Sequence, residues 1–245
     1  LTVYYIMNFK QILLGVIIVI ILYLIYTYVF KDSTSNTLYS GGNAKNPVKI
    51  EASALPGNKA SVNFTYSIWI YVDNWQYRYG ANKVIYSRKA GNVVSPEVAL
   101  GAATNDLIIN MSLMDSTGSG VTSTPWTVSN IPIQKWCNII ISTNNRAIDT
   151  YIDGKLVNTH VLAGVLSTIG AAPVAVSPLQ DNGELGGFSG QTSKFRYIAR
   201  TISPREAYDI YREGPGGNWL SDLLNQYKMK LSFLKGSEEI NSFEI

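Results

Sequence analysis

Two of the residue types that build reactive sites are nearly missing from this chain of 245 residues, which holds one cysteine, Cys137, and one histidine, His160. A single cysteine excludes an intrachain disulfide, and its place in an apolar run reads as a buried, inert thiol. A single histidine excludes a histidine-rich metal centre and makes no convincing triad with a serine, so it reads as a surface side chain on an edge strand. Charge is sparse as well. Charged residues make up 15% of the chain, the formal net charge is +3, and the 20 Lys and Arg are scattered rather than massed, so no nucleic-acid partner is implied. Neither a P-loop nor a dinucleotide fingerprint is present, because Gly186-Gly187-Phe188-Ser189-Gly190 lacks a lysine in position.

What the chain does hold is apolar: 46% of its residues are hydrophobic, enough to bury one substantial core. One stretch has no charge at all. From Gln11 to Phe30 runs an apolar segment bracketed by Lys10 and Lys31, with Tyr4, Tyr5, Tyr23, Tyr26 and Tyr28 near its ends. As a helix it would be about 30 Å long, the thickness of a bilayer's hydrocarbon core. A cleaved signal peptide would have a shorter apolar region and a small-x-small site, whereas this run ends in bulky Tyr28-Val29-Phe30. The expectation is an uncleaved transmembrane anchor over residues 1–31. Ile12, Leu13, Leu14, Val16, Ile17, Ile18, Val19, Ile20, Ile21, Leu22, Leu24 and Ile25 would face lipid. Met7-Asn8-Phe9-Lys10 reads as a natural short start to it, so residues 1–6 are expected to lie outside the mature protein. Lysines at both ends leave the side occupied by the rest of the chain undecided.

Past the anchor, residues 32–46 are rich in Ser, Thr, Asn and Gly without packing periodicity, and are read as a flexible linker. Period-2 alternation takes over from there. Val62, Phe64, Tyr66, Ile68, Ile70 and Val72 share one face of a long predicted strand, and further strands are read at 48–54, 83–88, 97–102, 106–113, 126–129, 173–177 and 192–200. The densest signal is Lys135 to Val161, three β-type runs separated by Asn144-Asn145 and Asp153-Gly154, which predicts an antiparallel meander. Trp136, Asn138, Ile140 and Ser142 alternate with Cys137, Ile139, Ile141 and Thr143, so both faces of that strand carry apolar groups. Phe64, Ile68, Ile70, Trp136, Ile139, Ile141, Ile152, Phe195 and Tyr197 are expected between two sheets. One helix is predicted, Pro204 to Arg212, since Ser203-Pro204-Arg205-Glu206 forms a capping box with proline at the first helical position. Residues 214–245 form a C-terminal extension with a short helix and a strand over Tyr227 to Phe233.

The Trp136 strand followed by Tyr151-Ile152-Asp153-Gly154-Lys155-Leu156-Val157 resembles the core of laminin-G-like, concanavalin A-like jelly rolls. Phe64-Thr65-Tyr66-Ser67-Ile68-Trp69-Ile70 is similar to an early strand of those domains. Gly187-Phe188-Ser189-Gly190, with Phe195 to Arg200 and Ser203 to Ala207, is similar to their closing segment. The resemblance implies an all-β antiparallel sandwich over residues 47–213, a fold that hosts lectins, glycosidases, adhesion modules and structural proteins alike. Glycosidases of this fold need paired carboxylates flanking one glycosidic bond. Here Asp73, Glu97, Asp106, Asp115, Asp149 and Asp153 stand mostly alone, with Asp149 and Asp153 read as a strand face and a turn, so no enzyme is expected. Relatives often carry Ca²⁺ at the rim, and Asp181-Asn182-Gly183-Glu184 is an acidic loop that could do so; otherwise no cofactor is implied.

Two regions stand out as contact candidates. Trp75, Tyr77, Arg78 and Tyr79 crowd residue types favoured at interfaces into five positions, where they could equally stack on a sugar. Trp219, Leu220, Leu223 and Leu224 repeat at helical spacing and need an apolar partner. The anchor, the disulfide-free sandwich and the extension with Tyr211, Gly214, Pro215, Leu223, Leu224 and Tyr227 together look like proteins of large double-stranded DNA viruses, including algal viruses. That resemblance implies a minor capsid component tying an internal virion membrane to the shell, with capsid or membrane proteins and the bilayer as partners. The alternative is a membrane-anchored lectin-like module binding carbohydrate. Asn63-Phe64-Thr65 and Asn110-Met111-Ser112 are glycosylation sequons, but both fall inside predicted strands and read as chance matches.

Overall fold

Alternation of apolar and polar residues in short runs yields strands here, and the computed structural model shows fourteen of them with two α-helices among residues 9–25, 33–114, 121–180, 182–216, 230–235 and 238–244, the residues the structure describes. The chain divides into two units, Leu1–Ser33 and Thr34–Ile245. The first holds α1 (Phe9–Ile25), a helix of 17 residues whose side chains from Leu13 to Ile25 all stand exposed. No helix among the described residues is long and apolar enough to cross a membrane, and the run predicted to span one continues beyond Ile25 into residues outside the described ones.

In the second unit the strands are β1 (Ser35–Asn43), β2 (Val48–Ile50), β3 (Thr65–Asn74), β4 (Lys83–Ala90), β5 (Val93–Leu100), β6 (Leu107–Met114), β7 (Val121–Val128), β8 (Trp136–Asn144), β9 (Ala147–Ile152), β10 (Lys155–Val161), β11 (Val174–Val176) and β12 (Ser189–Ile198). They form two six-stranded antiparallel sheets, one in the order β1-β12-β3-β8-β9-β10 and the other β2-β11-β4-β5-β6-β7. A separate hairpin pairs β13 (Lys230–Lys235) with β14 (Glu238–Glu244). The predicted all-β sandwich is therefore observed, and the meander β8-β9-β10 lies where its turn residues place it.

Between the sheets, Phe64 and the β3 residues Tyr66, Ile68, Ile70 and Val72 meet Cys137, Ile139 and Ile141 of β8 and Phe195 and Tyr197 of β12. Ile85, Val98, Leu100, Ile109 and Met111 come from the opposite sheet. Rings interlock at the centre, with Tyr66 to Tyr197 and Tyr86 to Phe195 both at 5.0 Å between centroids. Burial pushes the Cys137 thiol up, and the Asp153 charge adds to the shift, which keeps it in the unreactive protonated form. Arg88 is also buried. Its guanidinium donates to the carbonyls of Lys59, Gly170 and Ala172, tying two loops to β4 without a carboxylate among the described residues.

Three sequence expectations need correction. Trp136 points away from the inter-sheet core, because Cys137, Ile139 and Ile141 take the inward positions; it is half-buried on the outer face against Tyr71, 5.7 Å between centroids. Ile152 is likewise only half-buried, packed against the core's margin. Residues 32–46, read as a flexible linker, instead supply edge strand β1, paired with β12 from Ser35↔Ile198 to Asn43↔Gln191. An edge strand needs little more than free backbone groups, and Leu38 and Tyr39 dock it on the core.

The first sheet is covered on its outer side. Helix α2 (Pro204–Arg212) has the predicted capping box at Ser203 and Glu206. It seats Ala207 and Ile210 on Ile140, Tyr151, Ile198 and Ile202, and stacks Tyr211 on Trp69 at 5.6 Å. At the β9–β10 turn, Gly154 has φ +72°, and a Cβ there would lie 2.9 Å from Tyr211 Cβ and 3.0 Å from Tyr208 Cα. Only glycine lets the helix come so close.

Candidate functional site

Among the described residues the second sheet carries no helix on its outer side, and a cleft of about 670 Å³ opens there between two loops. One loop follows β3. Asn74 Oδ1 accepts from the N–H of Gln76 at 2.8 Å, and a further turn brings the N–H of Tyr79 onto the Gln76 carbonyl at 3.2 Å. Arg78 takes the left-handed conformation with φ 53°, and the N–H of Gly80 is pinned to the Ala102 carbonyl at 3.0 Å. Beneath this loop lies Lys83, 1% exposed, whose Nζ donates to the carbonyls of Gly101 and Ala102, both at 3.2 Å, and sits 4.5 Å from the centroid of the Trp75 ring. Desolvation and the neighbouring Arg78 charge both hold the Lys83 ammonium below the usual lysine range.

The facing loop, after β11, folds back on itself through an isolated bridge between Leu179 and Leu185 and the Gln180 N–H on the Glu184 carbonyl at 2.8 Å. Arg78 joins the two loops, its Nη1 donating to the Gly186 carbonyl at 2.5 Å. Polar side chains line the cleft: Asn82, Ser87, Gln180, Asn182 and the ion-paired Lys89 and Glu97. Val84, Ala102, Pro178 and Leu179 supply apolar surface. Tyr79, between two lining residues, is 60% exposed. Amides, a hydroxyl and charged groups beside small apolar surfaces offer both donors and acceptors to a ligand with many hydroxyls.

The interaction loop read from the sequence is only partly a surface. Trp75 is half-buried against the core, with the Lys83 ammonium over its ring. Tyr77 is half-buried with the Lys45 ammonium 4.7 Å from its centroid. Arg78 enters the cleft and Tyr79 is open. Of the acidic loop, Asn182 lines the cleft and its Oδ1 accepts from the Glu184 N–H at 3.0 Å. No group of three or more His, Cys, Asp or Glu side chains that could hold a metal ion occurs among the described residues. Trp219, Leu220, Leu223 and Leu224 lie outside the described residues.

Other singled-out residues have structural partners. Asp149 accepts from Thr159 Oγ1 at 2.6 Å, and Asp153 accepts from the Asn138 N–H at 2.9 Å. His160, on edge strand β10, stacks on Trp126 of β7 at 4.4 Å and 7°, joining the margins of the two sheets. Within the sequons, Thr65 and Ser112 are buried. The cleft residues that alternation did not reveal are Asn82, Ser87, Lys89, Glu97 and Gln180. In β4 the register shifts between Val84 and Tyr86 and again between Ser87 and Lys89, which breaks the period-2 pattern that would have marked Ser87 and Lys89 as outward.

Solved structures agree on the fold. The receptor binding domain of botulinum neurotoxin D is 13% identical, covers 72% of this chain and 45% of its own, and has a TM-score of 0.53. The receptor binding domain of botulinum neurotoxin mosaic serotype C/D is 12% identical, covering 73% of this chain and 43% of its own, with a TM-score of 0.54. The binding domain of botulinum neurotoxin DC in complex with SialylT is 14% identical, covering 71% and 42%, with a TM-score of 0.51. The chain thus spans less than half the length of each of these. No functionally curated protein matches the chain in sequence. A laminin G family model described as the concanavalin A-like lectin/glucanases superfamily matches residues 40–207, from within β1 into α2, and the chain belongs to that superfamily.

Proposed function

We propose that the protein is a non-catalytic carbohydrate-binding module, with the cleft on its second sheet as the binding site and the apolar helix near the amino terminus as a membrane tether. The observation that carries this reading is the cleft's lining: three side-chain amides, Ser87 and an ion pair beside small apolar surfaces, with Tyr79 exposed at its margin. Planar amides and paired charges make the bidentate hydrogen bonds that vicinal hydroxyls ask for, and an aromatic ring covers a sugar's C–H face. Catalysis is no part of the proposal, because Glu97 is the one carboxylate lining the cleft among the described residues and Lys89 neutralises it. Nor is a cofactor. The tether reading is supported by the exposed apolar side chains of α1 between Leu13 and Ile25. Binding to a glycan array, with loss on Asn82→Ala or Gln180→Ala at unchanged Tm, tests the site; binding that survives both substitutions sinks it.

A second reading, a minor capsid component docking on other proteins at an internal virion membrane, is favoured by the apolar side chains around the cleft. Tyr79, Leu179 and Leu185 are 60%, 51% and 43% exposed, and a protein partner would cover them. Co-purification with a capsid lattice, lost on Leu179→Asp, would support it over the glycan reading.

A further inference from the structure

The charges of the described residues lining the cleft do not cancel. Lys89 and Glu97 neutralise each other on one wall. Arg78, on the other, has no carboxylate within ion-pairing distance among the described residues, and of its five N–H donors the described structure engages Nη1 with the Gly186 carbonyl. Lys83 lies behind it with its ammonium turned onto backbone carbonyls, so a second positive charge adds its field without reaching the opening. Glu184, in the facing loop, does not line the cleft. Arg78 is also held in a left-handed backbone conformation, φ 53°, which a non-glycine residue adopts at a cost and which the surrounding hydrogen bonds enforce. The result is a guanidinium held across the opening between two loops, with donors and a charge that no carboxylate among the described residues meets.

We infer that the cleft selects a saccharide bearing an anionic group, a carboxylate or a sulfate, which Arg78 receives while Asn82, Gln180 and Asn182 take the neighbouring hydroxyls. This rests on the carbohydrate reading above and adds to it the charge of the ligand. A planar guanidinium with adjacent free N–H groups matches a carboxylate or sulfate in two parallel hydrogen bonds, which a hydroxyl does not. Lys83 behind it strengthens the attraction at long range and is itself relieved by an incoming anion.

The test is an array of paired glycans, each neutral core printed beside its sialylated, uronate-bearing and sulfated forms, probed with the full chain in detergent. Acidic forms should bind at least about tenfold more tightly than their neutral cores, since charge-assisted hydrogen bonds are the strong ones. Arg78→Met should abolish that difference and Arg78→Lys should retain part of it. Glu97→Gln, on the opposite wall, should raise affinity for acidic forms several-fold by releasing Lys89, and it keeps the test alive if Arg78→Met fails to fold. Added salt should weaken acidic binding and leave neutral binding alone. Equal binding of neutral and acidic forms overturns the inference and leaves the carbohydrate reading standing. Binding of no glycan in either form overturns both.

Discussion

The two sheets carry similar inner faces and opposite outer ones. On the first, Ile140 and Tyr151 lie wholly buried beneath α2, and Trp69 is covered by Tyr211. On the second, the corresponding surface presents Ser87, Lys89 and Glu97 to an open cleft. One sheet is packed on both faces, while the described residues leave the other sheet's outer face open, where the proposed binding site lies. The difference is made by nine residues of helix and the glycine turn that lets them sit down.

The largest effect should come from the face the sheets share. Phe195→Ala removes a ring packed on Tyr66 and Tyr86, and is expected to cost about 3–5 kcal/mol in chemical denaturation, with both outer faces lost together. Gly154→Ala attacks the covered face alone. A side chain at positive φ costs about 1–2 kcal/mol, and the Cβ must also displace Tyr211, so Trp69 fluorescence should redden as its cover lifts.

Removing the helix cap is milder. Ser203→Ala should cost about 1 kcal/mol, while the acid limb of the stability curve reports on its capping partner Glu206. Burial alone would raise the Glu206 carboxyl, but the Ser203 N–H and the Arg200 guanidinium outweigh it and hold the carboxyl below its ordinary value. A depressed carboxyl contributes stability that is present above its unfolded pKa and fades as pH falls through the folded one. Glu206→Gln removes that carboxyl, so the variant's stability should fall less steeply below about pH 4.3, the ordinary range for glutamate. The smallest stability effect belongs to the open face: Asn82→Ala and Gln180→Ala should stay within about 0.5 kcal/mol of the parent, since neither supports packing. A large loss of stability in either would mean that the cleft is a structural seam rather than a binding surface.

Features defined by neighbours in sequence were legible in it. The capping box at Ser203 and Glu206 and the Asp153-Gly154 turn each depend on a few adjacent residues, and both are found as expected. The side of β8 that faces the core was not legible, because a helix covers its other side and leaves apolar groups in both registers; Trp136 was misplaced for that reason. Strand β1 escaped notice because its partner is β12, far along the chain, and Ser, Asn and Gly give no alternation to read. The cleft is harder still. Arg78 and Gly186, 108 residues apart in the chain, are joined by a single hydrogen bond that nothing local announces.

The edge position of β1 governs where this protein can be cut. Seven residue pairs hold it to β12, from Ser35↔Ile198 to Asn43↔Gln191. A preparation trimmed to start at Val48 keeps every other strand of both sheets, yet it strips β12 of that neighbour and leaves its backbone donors and acceptors in water. A long strand so uncovered is a template for the same strand on another molecule. Such a fragment should elute as dimers and larger species, while one starting at Thr34 should stay monomeric under the same conditions.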